Sequence, residues 1–151
     1  MIGKNDPEHS DTLPSSDDIA EFRGKRILVT EDNELNRVIA VDLLKGFGFD
    51  TETAENGQIA VDMVKNSSPG YYDVILMDIK MPVMDGIEAT KQIRALEDPR
   101  LADITILAMT ANAFEEDRQT AIRAGMNGFV SKPIYIDQML ETLRNIFCVT
   151  E

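Results

Sequence analysis

From Arg23 onward, short apolar runs alternate with segments of helical period, the pattern of βα units feeding a parallel sheet. Arg26 to Thr30 (RILVT), Val74 to Met77 (VILM) and Ile104 to Met109 (ITILAM) are continuous runs, as expected of strands covered on both faces. Phe49 to Ala54 instead sets Phe49, Thr51 and Thr53 against Asp50 and Glu52, which predicts an edge strand with one wet face. Phe129 and Val130, between Gly128 and Pro133, mark a short fifth strand. Helical faces fall between the strands: Leu35, Val38, Ile39 and Leu43; Ile59, Ala60, Met63 and Val64; Ala89, Ile93 and Leu96; Phe114, Ala121 and Ile122. Met139, Leu140, Leu143, Ile146 and Phe147 form a last face. Five such units are too few for an eight-unit barrel. They favour an α/β fold, a doubly wound five-stranded parallel sheet of order 2-1-3-4-5, with a ligand site at the carboxyl ends of strands one and three.

Composition narrows the class. The chain has 151 residues, 27 acidic and 15 basic, for a net charge of −12. A chain of this size buries roughly 70% of its unfolded surface, enough for a core without disulfides or a structural metal. Residues 1–22 are acidic and rich in serine and proline and read as a disordered or linker segment; 23–148 form the domain and 149–151 a tail. Cys148 has no partner in the chain and His9 lies in the polar segment, which excludes disulfide scaffolds, zinc clusters and Cys/His triads and points to an intracellular, cytoplasmic setting. The negative charge argues against direct contact with nucleic acid or an anionic membrane, and no segment reads as a signal peptide or a membrane span.

The chemistry gathers where the topology places a site. Strand one runs into Glu31, Asp32 and Asn33, and strand three ends in Asp78. Two carboxylates about 5 Å apart repel by roughly 3 kcal/mol at an effective dielectric near 20, so three together call for a cation. Magnesium fits, since it takes a few carboxylate oxygens and leaves positions for water and a phosphoryl group. Asn33 or Asp32 could simply cap the first helix, but capping does not account for Asp78. Strand four ends in Thr110, followed by Asn112, and strand five leads to Lys132. Acid pair, acid, hydroxyl and ammonium make a site in which Asp78, already ionised, attacks phosphorus while magnesium and Lys132 neutralise the equatorial oxygens. Lys80 and Asn112 flank the approach of a hydrolysing water. Lys80 is long enough to exclude it, whereas the Asn112 amide could hold it, so both are candidates for setting phosphoryl lifetime. Asp85 and Gly86 read as turn and helix-start residues.

The segments RILVTEDNELNR, VILMDIKMPVMDGIEAT, ILAMTANAF and AGMNGFVSKPI, in this order and spacing, resemble the receiver domains of two-component signalling over residues 24 to 148. The resemblance implies the flavodoxin-like response-regulator architecture and a phosphoacceptor, not an enzyme turning over a separate substrate. Asp78 would take a phosphoryl group from a histidine kinase or a histidine phosphotransfer domain. Asp32, Asp78 and the backbone carbonyl of Lys80 would bind magnesium directly, with manganese as the alternative ion, and Glu31 would act through water. Thr110 and Lys132 would contact the phosphoryl oxygens, Thr110 and Phe129 would form the conformational switch, and the Lys132–Pro133 bond would be cis. A homodimer would use the fourth helix, fifth strand and fifth helix. The polar stretch before the domain resembles the junction upstream of receivers in hybrid sensor kinases, which favours a module of such a kinase over a stand-alone regulator.

Two rivals share the fold or the nucleophile. An aspartyl-phosphate phosphatase places a second acid two residues after its nucleophile, where this chain has Lys80. A flavin-binding module needs a phosphate cradle after strand one, where Glu31 and Asp32 would repel a phosphate.

Overall fold

The computed structural model describes residues 23–110, 115–131, 138, 139 and 141–144. Its strands are β1 (Arg26–Thr30), β2 (Asp50–Ala54), β3 (Val74–Asp78), β4 (Thr105–Thr110) and β5 (Gly128–Ser131). Between them lie α1 (Glu34–Gly46), α2 (Gly57–Lys65), α3 (Gly86–Arg94), the single turn α4 (Pro99–Ala102) and α5 (Glu115–Ala124). Residues 138, 139 and 141–144 are again helical. The five strands pair in parallel in the order β2-β1-β3-β4-β5, so the expected 2-1-3-4-5 topology holds. The turn α4 was not expected. Asp98 caps it, accepting from Arg100 N–H at 2.9 Å, and Pro99 opens it. The helix expected as the fourth is therefore α5.

Alternate strand residues feed two cores. Ile27, Val29, Val74, Leu76, Leu107 and Met109 face Ala40, Leu44, Met139 and Leu143, whereas Leu28, Ile75, Met77, Ile106 and Ala108 face residues of α2, α3 and α5. Both faces of the sheet are thus covered, which is why the three inner strands carry unbroken apolar runs.

Three expectations change. In α1 the inward residues are Ala40 and Leu44, with Val41 and Leu43 partly covered, while Leu35, Val38 and Ile39 are 67%, 49% and 45% exposed. Apolar side chains occur all round this helix, so period alone could not choose its inner face. The small Ala40 lets the helix approach the sheet on that side. In α5, Ala121 is buried but Ile122 is exposed. Strand β2 has no simple wet face: Phe49 and Ala54 are buried, Thr51 and Glu52 are half-buried, and Thr53 is exposed. Helices close over both of its faces, and what stays open is its edge. Glu52 is drawn in by two hydroxyls, from Tyr72 at 2.7 Å and from Tyr71, over whose ring Arg26 lies at 4.0 Å. No helix among the described residues is long and apolar enough to cross a membrane.

Candidate functional site

The β1–α1 loop leaves the sheet at Thr30 and turns at Glu31 and Asp32. Asn33, not Asp32, caps α1, its side chain accepting from Asn36 N–H at 2.9 Å. Arg37, one turn into α1, donates to the carbonyls of Glu31 at 2.9 Å and Asp32 at 3.4 Å, tying the loop to the helix that follows it. Glu31 N–H donates to Ala54 O at 3.1 Å, and one Glu31 carboxylate oxygen accepts Asn33 N–H at 3.1 Å. Asp32 is exposed.

Asp78 closes β3 one residue beyond Met77, which stands opposite Thr30. Oxygens of Glu31, Asp32 and Asp78 lie within 4.8 Å of one another. Glu31 is 2% and Asp78 5% exposed, so two of the three charges sit where water compensates them little. Three hard oxygen donors at this spacing can hold a metal ion, and such an ion relieves their repulsion.

The loop after Asp78 is held tightly. Gly86 N–H donates to Ile79 O at 2.8 Å, and a Cβ on Gly86 would lie 2.2 Å from the Asp78 carbonyl oxygen. Asp85 caps α3, accepting from Glu88 N–H at 2.8 Å, as its turn-and-helix-start reading expects. Gly57 N–H donates to Met84 O at 3.0 Å, and no Cβ fits at Gly57 either. Lys80 is exposed within this loop.

Thr110 ends β4 one residue past Met109, the partner of Asp78, and is 9% exposed. Its strand end therefore lies next to the end of β3, where Asp78 stands. Phe129 lies in β5 opposite Ala108, half-buried against the core of α2, α3 and α5, with the Arg118 guanidinium 4.6 Å from its ring centroid. The structure therefore brings Glu31, Asp32, Asp78 and Thr110 to one end of the sheet, with Lys80 in the adjoining loop and Phe129 one strand further. Asn112, Lys132 and Pro133, like His9 and Cys148, lie outside the described residues.

Sequence reasoning did not single out Arg37 or Arg118. Arg37 carried a signal, one helical turn after an acidic loop. Arg118 carried none, because its partner is eleven residues on and comes close only through the fold.

A five-stranded parallel sheet of this order, with three carboxylates and a threonine at its carboxyl end, defines a doubly wound α/β domain with a candidate metal site. Residues 27–144 match the response regulator receiver domain family, and the chain belongs to it. It is 42% identical over 125 residues to hybrid signal transduction histidine kinase B of Dictyostelium discoideum, covering 77% of this chain but 6% of that kinase. It is 35% identical over 121 residues to the polar-differentiation response regulator DivK of Brucella anthropi, covering 80% of this chain and 94% of DivK. Among solved structures, the receiver domain of sensor histidine kinase PA1611 from Pseudomonas aeruginosa, which has a magnesium ion coordinated in its active site cleft, is 35% identical with a TM-score of 0.73. That similarity covers 83% of this chain and 98% of that one. The receiver domain of Ssk1, crystallised with the histidine phosphotransfer protein Ypd1 of Saccharomyces cerevisiae, is 31% identical with a TM-score of 0.76, over 85% of this chain and 92% of that one.

Proposed function

We propose that the chain accepts a phosphoryl group on Asp78 from a phosphohistidine, in a magnesium-dependent reaction, and that the aspartyl phosphate changes the domain's conformation to pass a two-component signal on. The observation that carries this reading is the convergence of Glu31, Asp32 and Asp78 within 4.8 Å at the end of the sheet. The donor set suits a hard divalent ion. Asp32, Asp78 and the carbonyl of Lys80 would hold it directly and Glu31 through water. Bound there, it supplies positive charge for the phosphoryl oxygens.

Attacking as a carboxylate, Asp78 has no proton to lose, so the step needs no general base. Its oxygen forms the new O–P bond while the N–P bond of the phosphohistidine breaks and the electron pair returns to the imidazole. Thr110, at the end of the neighbouring strand, donates its hydroxyl to a phosphoryl oxygen. Lys132, assigned from the sequence alone, adds an ammonium. Phe129 follows Thr110 in the switch.

The similarity to a receiver crystallised with a histidine phosphotransfer protein supports such a protein as donor. So does α1, whose exposed Leu35, Val38 and Ile39 follow the acidic loop directly and offer apolar surface beside the site. The kinase relatives support a module of a cytoplasmic hybrid kinase portion. A stand-alone regulator is the second reading, favoured by the 94% coverage of DivK.

The test is intact mass after incubation with acetyl phosphate and magnesium. Wild type gains one phosphoryl unit; Asp78→Asn and chelated wild type gain none. Equal labelling of Asp78→Asn, or labelling indifferent to chelation, contradicts the mechanism.

A further inference from the structure

A cavity of about 540 Å³ lies between Glu52 on β2, the second half of α2 and the segment that leads into β3. Residues 66–72 approach the amino end of β3, whereas Glu31, Asp32 and Asp78 stand at the carboxyl ends of the strands. The cavity is therefore remote from the acid cluster, and it is of a size that takes a side chain or a small ligand.

Its polar lining is one-sided. Glu52 and Asp62 are carboxylates, which only accept. Burial alone would raise the Glu52 pKa, but the hydroxyls of Tyr71 and Tyr72 and the charge of Arg26 outweigh it, so Glu52 stays anionic. The Tyr72 hydroxyl donates to Glu52 at 2.7 Å, the Tyr71 hydroxyl donates to its other oxygen, and the Ser67 hydroxyl donates to Val64 O at 2.7 Å. A hydroxyl has one proton, so these three offer the cavity only lone pairs. Asp62 accepts from the neutral Gln58 amide at 3.1 Å. No lysine or arginine is among the described residues that line the cavity. Arg26 is engaged elsewhere: it donates to Tyr71 O at 3.1 Å, pairs with Asp50 at 3.6 Å and lies over the Tyr71 ring.

The apolar part of the lining has a matching shape. Ile59 and Met63, four residues apart, share one face of α2. At the rim, Ile59 is 38% and Tyr71 39% exposed. An apolar wall beside a set of acceptors suits a long alkyl stem that ends in a cation. Five accepting groups exceed the three donors of an ammonium and match the five N–H groups of a guanidinium, which is also the more weakly hydrated of the two.

We propose that this cavity is a recognition site for an arginine side chain of a partner protein, with the stem on Ile59 and Met63 and the guanidinium donating to Glu52, Asp62 and the tyrosine oxygens. The exposed apolar rim favours a protein, because a folded surface covers it and a small cation leaves it wet. The net charge of −12 steers a basic partner toward the chain. Residues 1–22 have the wrong charge to be the occupant, with six acidic residues, one lysine and no arginine. The proposal does not depend on the phosphoacceptor reading.

The experiment follows the amide shifts of the whole chain on titration with four probes. They are N-acetyl-arginine amide, its neutral analogue N-acetyl-citrulline amide, spermidine, and the acetylated and amidated tripeptide Leu-Arg-Leu. The arginine amide is expected to shift the amides of Glu52, Ile59, Met63 and residues 66–72 in a saturable way, and the citrulline amide to leave them in place. The tripeptide should shift the same amides with about fivefold tighter binding, since its leucines cover the rim. Asp62→Asn should weaken both arginine probes about threefold and leave the melting temperature unchanged. Absence of saturable shifts with the arginine probes, equal shifts with the citrulline amide, or indifference to Asp62→Asn overturns the proposal. Tighter binding of spermidine, or no gain from the leucines, would make the ligand a small cation and overturn the protein reading. The same shifts on concentrating the chain alone would assign the cavity to a second copy and overturn it too.

Discussion

Lys80 follows Asp78 by two residues and is exposed, so on the proposed mechanism its side chain has the reach to cover the in-line path of a hydrolysing water. Lys80→Ala is expected to shorten the phosphoryl half-life several-fold in an acid-quenched time course; an unchanged or longer half-life would exclude shielding and leave Asn112 as the residue to test. Val83 makes a separate statement about stability: it is 81% exposed and has φ +68°, a value that a β-branched residue takes only under strain. Replacing it with Asn relieves backbone strain of roughly 1 kcal/mol or more without removing a packed side chain, so the melting temperature should hold or rise by a few degrees. A fall in calorimetry would mean that the valine packs internally after all. The two residues also mark what a sequence can carry. Lys80 was recognisable as a flanking residue because it follows by two positions an aspartate that ends an apolar strand. The strain at Val83 was not, since Pro82 and the Asp85-Gly86 pair signal a turn without giving φ at the residue between them.

Two clusters of side chains fasten elements that lie far apart in sequence. Arg94, at the end of α3, donates to the carbonyls of Gly125, Ala102 and Ile104 and to the Asn127 side chain, so one guanidinium joins α3 to α4, to the approach to β4 and to the turn before β5. Burial holds its pKa below the ordinary arginine value. Arg94→Ala should cost about 3 kcal/mol in denaturant unfolding by leaving several carbonyls without a donor, and Arg94→Lys should restore only part because it lacks the planar fork.

The second cluster is Glu52 on β2, which holds the loop before β3 through Tyr71 and Tyr72. Burial alone would raise the Glu52 pKa, but the two tyrosine hydroxyls and Arg26 bring it below 4.5, whereas burial and the bond to Glu52 push Tyr72 well above 10.0. The folded state thus binds the Glu52 proton more weakly than the unfolded chain, and its contribution is present above about pH 4.5 and lost as pH falls through the folded value. Tyr72 is the reverse: its contribution is present below about pH 10 and lost as pH rises through its folded pKa. Tyr72→Phe should cost about 1–2 kcal/mol at pH 7 and flatten the alkaline fall in stability, followed by thermal melts across pH. Neither cluster was visible in the sequence, because each depends on which strands pair and which turns meet.

For the molecule as a whole, the topology was legible, and with it the place where three carboxylates meet. Unbroken apolar runs can only be strands covered on both faces, five of them in βα order leave one economical sheet, and its switch point selects Glu31, Asp32 and Asp78 from 27 acidic residues. The side of α1 that faces the sheet was not legible, and the error is instructive, since the residues expected inside are the apolar ones beside the site. A phosphoryl group on Asp78 raises its charge from −1 to roughly −2 and gives Thr110 new acceptors, so the conformational change should run through β4 to Phe129, α5 and the helical residues from 138. Amide shifts on adding a beryllofluoride mimic should concentrate there, and Thr110→Ala should weaken them while keeping phosphorylation. Changes confined to α1 and α2 would count against this route. The central claim is tested most directly by trapping the acyl phosphate. Borohydride reduces an aspartyl phosphate to homoserine, so after labelling with acetyl phosphate and magnesium the tryptic peptide spanning residues 66–80 should carry homoserine at position 78 and aspartate at 73. Homoserine at any other position, or none at 78 in a chain whose mass had risen by one phosphoryl unit, would contradict the account.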